Sequence, residues 1–367
     1  MTSPFGENTM NDNLSNLSQW LMNNGGPVVR YRTAKEILRD ESMSNISNLE
    51  QALFDCSLVK MWLERLKHIM AIQGSGNDRF ENVVGKLLEF GLTKNNGELY
   101  DRLRSDLQYL KDQPENQSFI MSLLNSIIIA AGLARSEIVD SSLYSFMLRR
   151  LKALFQSTQQ ADYYRYVDSG PHASIPIQQR DRYSKDSSQG DLQLPCIHDI
   201  YLLSALKSIP KNNEIEEMIE HVILYVLKPE YQLLKEGNIY VRDERQGDLW
   251  YSFLIWKADL PGYFNLSFVE DQINYLVQRM ELMAHFPTAI SHDWFKRCFN
   301  HMEEFVTSSG TYVFPREYLL EKEIGNWVTG AHMGIEENRH SKKAFEIEST
   351  FRMLKIKSLI QQNTTEQ

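Results

Sequence analysis

The chain has 367 residues, 42% apolar and 24% charged, a balance that suits a folded globular protein with a large core. A formal net charge of −9 argues against a nucleic-acid-binding surface, which needs a basic stripe, and against docking on anionic membranes. Three scattered cysteines, Cys56, Cys196 and Cys298, make no disulfide framework and point to free thiols and a cytoplasmic, soluble setting.

Residues 1–13 are polar and Asn-rich, which predicts a disordered start with neither the basic nor the apolar region of a signal peptide. A first helix is expected over Leu14–Asn23. Gly25-Gly26-Pro27 then breaks the chain, and proline suits the first turn of the next helix, Val28–Leu38. Helices follow over Leu49–Cys56, Leu58–Ile72, Phe80–Gly91, Glu98–Leu110, Asn116–Leu133 and Ser136–Phe155. In Leu58–Ile72 the stripe Leu58, Met61, Trp62, Arg65, Leu66, Ile69 recurs at helical spacing. The apolar run Leu123–Ala134 holds Asn125 and Ser126 and is shorter than the roughly 20 residues a bilayer span requires, so no transmembrane segment is expected.

Residues 157–195 have no helical stripe and read as a long loop over one mouth of the domain. Helices resume over Cys196–Ile209 and Glu214–Leu227, the second capped by Asn213. The aromatic stretch 237–263 predicts short strands or extended chain. Phe268–Ala284, Thr288–Ser308 and Lys342–Ile360 complete the helices, with a polar tail over 361–367.

The stretch Tyr312–Leu354 concentrates polar residues among aromatics and two glycine-bearing turns, and the candidate site residues cluster there. His332 and Glu337 are the candidate acid and base, since an imidazole oriented by a carboxylate moves protons near neutral pH. Arg316, Lys322 and Arg339, with Asn338 and the distant Arg242, form a candidate anion clamp; the arginine fork binds diphosphate or carboxylate bidentately. Surface ion pairs with Glu317, Glu321, Glu323 and Glu337 are the plainer account of those cations. Trp250, Trp256 and Trp327 are candidate cavity walls, although core packing also explains such rings. Cys196-x-His198 with Asp191 and Asp199 offers zinc-type donors, but a buried cysteine behaving as a small hydrophobe explains it too, and no metal is assigned. The chain shows neither a nucleophile-elbow nor a P-loop motif. No cofactor follows from these residues.

Three segments carry a family resemblance. Trp20-Leu21 with Val28-Val29-Arg30-Tyr31-Arg32-Thr33 through Ile37-Leu38 is similar to the opening of bacterial terpenoid-cyclase and prenyltransferase-like proteins. Leu194-Pro195-Cys196-Ile197-His198 resembles the start of an inner helix in a mid-chain repeat of that family. Glu348-Ser349-Thr350-Phe351-Arg352-Met353-Leu354-Lys355 resembles its closing helix, with Ser349 and Phe351 departing from the pattern. The resemblance implies an all-α fold, an α/α toroid of alternating inner and outer helices, as one domain over residues 14–360. It also implies an axial cavity for an isoprenoid or similar small hydrophobic molecule, with cyclisation or prenyl transfer as the activity. The family's acidic signatures, Asp-x-Asp-Asp and Asp-Asp-x-x-Asp, are absent. Its Gln-x-x-x-Gly-x-Trp repeat occurs once, as Glu321, Gly325 and Trp327, with Glu for Gln. Two other readings therefore stand beside the enzyme: a non-catalytic ligand-binding or interaction protein on the same fold, and a sugar-active toroid with paired carboxylates.

Overall fold

The computed structural model describes residues 7–40, 42–112, 120–159, 194–209, 212–233, 237–243, 249–255, 257–265 and 273–365. They are predominantly helical, as the stripes predict. No described helix is long and apolar enough to cross a membrane. The chain divides into two compact units, Met1–Leu99 with Pro261–Gln367, and Tyr100–Leu260.

The first unit begins with α1 (Glu7–Asn24), so helix starts at Glu7 rather than Leu14. Gly25 and Gly26 turn the chain into α2 (Pro27–Arg32), with Pro27 in the first turn. The single helix expected over Val28–Leu38 instead changes pitch: Thr33–Leu38 is a π-helix, closed by Arg39 at φ 50°. Helices α3 (Met43–Asp55), α4 (Ser57–Leu66) and α5 (Phe80–Glu89) follow. α4 ends at Leu66, short of the expected Ile72, because residues 70–72 pair with the chain just before α5 instead of continuing the helix: Met70 N donates to Asp78 O, and Phe80 N to Ala71 O.

After α6 (Gly97–Asp112), which crosses the division, the second unit contains α7 (Ile120–Arg135), α8 (Ser141–Gln159), α9 (Ile197–Lys207), α10 (Asn213–Val226) and the short α11 (Pro229–Leu233). α7 packs chiefly on α9, and α8 on α10. A buried bidentate pair, Arg150 to Asp199 at 2.8 Å, ties α8 to α9. The same carboxylate accepts from Cys196 N at 2.9 Å, so Asp199 is spent on a helix start and an arginine. Asn212, not Asn213, caps α10. The extended stretch is an antiparallel hairpin of β1 (Gly237–Asp243) and β2 (Leu249–Ile255), in the register Gly237 opposite Ile255 through Asp243 opposite Leu249. The loop expected over 157–195 lies mostly outside the described residues.

The first unit then resumes with α12 (Leu276–Met283), α13 (Pro287–Ser291) and α14 (Asp293–Glu303). The helix expected over Thr288–Ser308 is thus two, broken where His292 is extended and its ring accepts from Trp294 N. The last helix, α15 (Lys342–Thr365), is buried on every side through its middle and packs on α1, α12, α13 and the π-helix.

Candidate ligand-binding site

Between α14 and α15, residues 304–341 form no long element: they hold two short 3-10 turns, Arg316–Tyr318 and Trp327–Thr329, and the isolated bridges Val306–Tyr312 and Glu321–His332. Backbone groups in such a segment lack ladder partners, so side chains must supply them. Helix α15 does so. Thr350 Oγ1 accepts from Tyr312 N (2.9 Å), and Ser349 Oγ from Phe314 N (3.0 Å). Glu348 Oε1 accepts from Ile335 N (2.7 Å) and Glu336 N (2.9 Å). Arg339 completes the turn, holding Glu348 at 2.9 Å and donating to Leu319 O. The three polar residues at the heart of a buried helix are therefore a rack on which the irregular segment hangs.

The same segment reaches the start of the chain. Glu336 Oε1 accepts from Gly26 N at 2.8 Å, and burial pushes its carboxyl up to about 7. Glu337 accepts from Ser57 N (2.9 Å) and Ser57 Oγ (2.6 Å), which caps α4 and lowers its pKa.

A buried ion network joins the opening and closing motifs. Arg32 holds Glu36 at 2.6 Å, donates to Glu89 O at 2.7 Å and lies over the Phe351 ring. Arg352 binds Glu89 at 2.6 Å and Glu281 at 3.0 Å, and donates to Met333 O. Lys355 adds Glu36 at 3.2 Å and Glu281 at 3.7 Å. Burial alone would raise Glu36, but Arg32 and Lys355 outweigh it and bring its pKa to about 2. Three cations thus face three carboxylates, the arrangement that buried charge demands.

Beside this scaffold lies a cluster whose hydrogen bonding is incomplete. Lys86 of α5 is fully buried, and its ammonium has three acceptors: Glu321 Oε2 at 2.6 Å, His332 O at 3.2 Å and Gly334 O. Three donors meet three acceptors, so Lys86 is saturated. Burial lowers its pKa, against the pull of Glu321. Glu321 Oε2 also accepts from Gly334 N at 2.8 Å; a side chain at Gly334 would strike Arg339 Cδ at 2.7 Å and that carboxylate oxygen at 2.9 Å. Glu321 is therefore anchored through one oxygen, and its Oε1 has no donor among the described residues.

Three side chains surround this pair: His332 bridges to Glu321 through the backbone, the Trp62 ring lies 5.8 Å from Lys86 Nζ, and Arg65 stacks on Trp62. The guanidinium of Arg65, on α4, is half-buried, lies 4.3 Å from the Trp62 ring centroid and makes no hydrogen bond to an acceptor among the described residues. Burial lowers its pKa, with Glu321 acting against that. The Trp62 and His332 rings meet edge to face at 5.4 Å. His332 Nε2 is 3.0 Å from Gly325 O. A carbonyl only accepts, so Nε2 carries the proton and Nδ1 presents a lone pair. Burial lowers the imidazole pKa and keeps it neutral. Both Trp62 Nε1 and His332 Nδ1 are buried without a hydrogen-bond partner among the described residues. The cluster thus offers a fork donor and an indole N–H, beside a carboxylate oxygen and an imidazole lone pair.

Of the residues singled out from sequence, His332 belongs to this cluster, whereas Glu337 turns to α4, so the two do not form an acid–base pair. Arg339 is committed to Glu348 and Leu319 O. Arg316 is exposed and stacks on Phe345; Lys322 is exposed. Asn338 is exposed and accepts from His340 N. Trp327 is core: its N donates to Asn82 Oδ1 at 2.7 Å and its indole lies against Gly85, where a Cβ would come within 2.5 Å. Arg242 and Trp250 are partner positions in the backbone register of the hairpin, and Trp256 lies outside the described residues. Sequence reasoning passed over Lys86. Its signal is a lone charge among Val83, Val84, Leu87 and Leu88, in a helix buried at every position. Arg65 showed its signal as a cation within the apolar stripe of α4.

No family model matches the chain, and no curated protein or solved structure matches it either.

Proposed function

We propose that this chain is a ligand-binding protein on an α/α toroid scaffold, with its site at Arg65 and Glu321 above the Trp62–His332 ring pair. The observation that carries the reading is the state of Glu321. One oxygen is locked by Lys86 and Gly334; among the described residues the other has no donor, and Arg65, which Glu321 influences electrostatically, has no hydrogen-bond acceptor. A carboxylate and a guanidinium held close but not joined in an ion pair are preorganised for a third party, because the cost of positioning them is met by the fold. The toroid arrangement draws support from the packing of every second helix in the second unit, α7 with α9 and α8 with α10, as alternating layers require.

Binding is favoured over isoprenoid cyclisation or prenyl transfer by the commitments of the other candidates. A diphosphate holder needs open donors, and Arg339 has given its own to Glu348 and Leu319. The test is a small-fragment screen by ligand-observed nuclear magnetic resonance, run in parallel on the wild type and Arg65→Gln. The reading expects hits that vanish in Arg65→Gln while the melting temperature stays near wild type. A screen in which every hit persists in the variant sinks it.

A further inference from the structure

We propose that Glu336 is a proton-operated latch: protonated, its carboxyl holds the Gly25–Gly26 turn against residues 335–337, and loss of the proton lets the turn go. The proposal is independent of the Arg65–Glu321 site.

The geometry comes first. Gly26 stands at the start of α2, and its N–H donates to Glu336 Oε1 at 2.8 Å. A Cβ at Gly26 would come within 3.0 and 3.1 Å of the two Glu336 oxygens, so the carboxyl lies directly against bare backbone. Neither glycine offers a side chain to hold the turn. Gly25 N is spent on Leu21 O within α1, and Gly26 O on Arg30 N within α2. Residues 335–337, by contrast, are fixed. Ile335 N and Glu336 N both donate to Glu348 Oε1, and Glu337 accepts from Ser57 N. The latch thus has one firm side, and the turn is tied to it through the Glu336 carboxyl.

The surroundings make that tie sensitive to ionisation. The charged groups facing Glu336 are carboxylates: Glu348 from α15 and Glu337 beside it in the chain, while the α1–α2 turn brings only the Gly26 amide. Arg339, of the same segment, is committed to Glu348 and Leu319 O. A carboxylate in this seat has one amide donor and two like charges for neighbours. A carboxylic acid keeps Oε1 as the acceptor for Gly26 N and adds no charge. Burial, reinforced by Glu348 and Glu337, accordingly pushes the carboxyl up from 4.5 to about 7. Glu336 is half-buried, so water reaches it to take the proton. With the turn open, the carboxyl returns to its ordinary 4.5. Opening is therefore coupled to proton loss between pH 4.5 and about 7, and gains nothing further above that. The end of α2 stays in place, since Arg32 is bound to Glu36 and to Glu89 O.

The test follows hydrogen exchange of single backbone amides in the full, isotope-labelled chain from about pH 5 to about pH 8, each rate divided by that of an unstructured peptide at the same pH. Gly26 is expected to lose protection by roughly ten- to a hundredfold as pH rises toward neutrality, and then to level off. Ile335 N, held by Glu348 on the fixed side, is the control and should keep its protection. Glu336→Gln retains an oxygen for Gly26 N but cannot ionise, and should make the Gly26 protection independent of pH. Constant Gly26 protection in the wild type overturns the latch. So does a loss shared equally by Ile335, which reports loosening of the whole segment, or a loss that persists in Glu336→Gln. If that variant does not fold, Gly26 and Ile335 in the wild type decide between them.

Discussion

Lys86, with none of its side chain exposed, sits 2.6 Å from Glu321, whose side chain is 28% exposed. One partner has been stripped of water and the other has not. The pair is therefore asymmetric in what each member loses when the other goes.

This asymmetry gives the first prediction. Glu321→Gln leaves an ammonium buried with only carbonyl acceptors, and the cost should approach the roughly 3–5 kcal/mol of a broken buried pair. Lys86→Met leaves a carboxylate that water can still reach, so it should cost less. The double variant should recover part of the Glu321→Gln loss. Urea unfolding of the four proteins, read as a double-mutant cycle, measures the coupling; equal losses in both single variants would contradict the asymmetry.

A second prediction concerns the opening motif, where Arg30 and Arg32 stand two residues apart. Arg30 is exposed and Arg32 is buried among Glu36, Glu89 and Phe351. Arg30→Ala should stay within about 0.5 kcal/mol of wild type. Arg32→Met should cost roughly 3–5 kcal/mol, since Glu36 and Glu89 lose a buried partner. Arg352→Met should behave like Arg32→Met. Chemical denaturation midpoints decide, and a loss at Arg30 equal to that at Arg32 would refute the network.

The third prediction is a pH dependence of stability. Burial raises Glu336 to about 7 and Glu81 to about 8, above the ordinary 4.5. A raised carboxyl binds its proton more tightly in the folded state. Its contribution is thus fully present below pH 4.5 and is lost as pH climbs through about 7 and 8. Glu36 runs the other way: lowered to about 2, it contributes above the ordinary value and its contribution disappears as pH falls through about 2. The melting temperature should therefore decline from mildly acidic to slightly alkaline pH. Glu336→Gln keeps the acceptor for Gly26 N and should flatten that decline. An unchanged slope in Glu336→Gln would remove Glu336 from the account.

The fourth prediction is about thiols. Cys56, Cys196 and Cys298 are free and buried. Burial raises the pKa of each, with Cys298 pushed up to about 12. The thiolate is the reactive form, so native protein should react slowly with a thiol reagent and unfolded protein should titrate all three. Fast labelling of one thiol in the native state would contradict the burial.

Helical class was legible because the stripe in α4 repeats at helix spacing, and local sequence decides that. The break at His292 was not legible, because the Thr288–Ser308 pattern runs on through it and the turn is set by a ring–backbone bond. The candidate site was half legible. The polar density of 312–340 was visible, but the division of labour within it depends on contacts with α4, α5 and α15, hundreds of residues away in places. Glu337 reads as an acid–base candidate until Ser57 is seen to claim it. His332 shares a helical spacing with Glu336, yet the segment is not helical, and Glu336 is drawn to Gly26 instead. Periodicity cannot show such assignments, because they follow from tertiary neighbours and not from chain spacing.

The buried ion network also constrains the order in which the protein can be assembled. Arg32 and Glu89 are synthesised well before Glu281, Arg352 and Lys355. Until α15 leaves the ribosome, Glu89 lacks Arg352 and the early helices have charges that they cannot bury at low cost. The second unit, by contrast, is complete in sequence at Leu260. Vectorial folding should therefore yield a structured second unit while the earlier helices wait, with closure of the first unit following the emergence of α15. Nascent chains stalled before Lys342 should be protease-resistant within helices α7 to α10 and sensitive in α2 to α5.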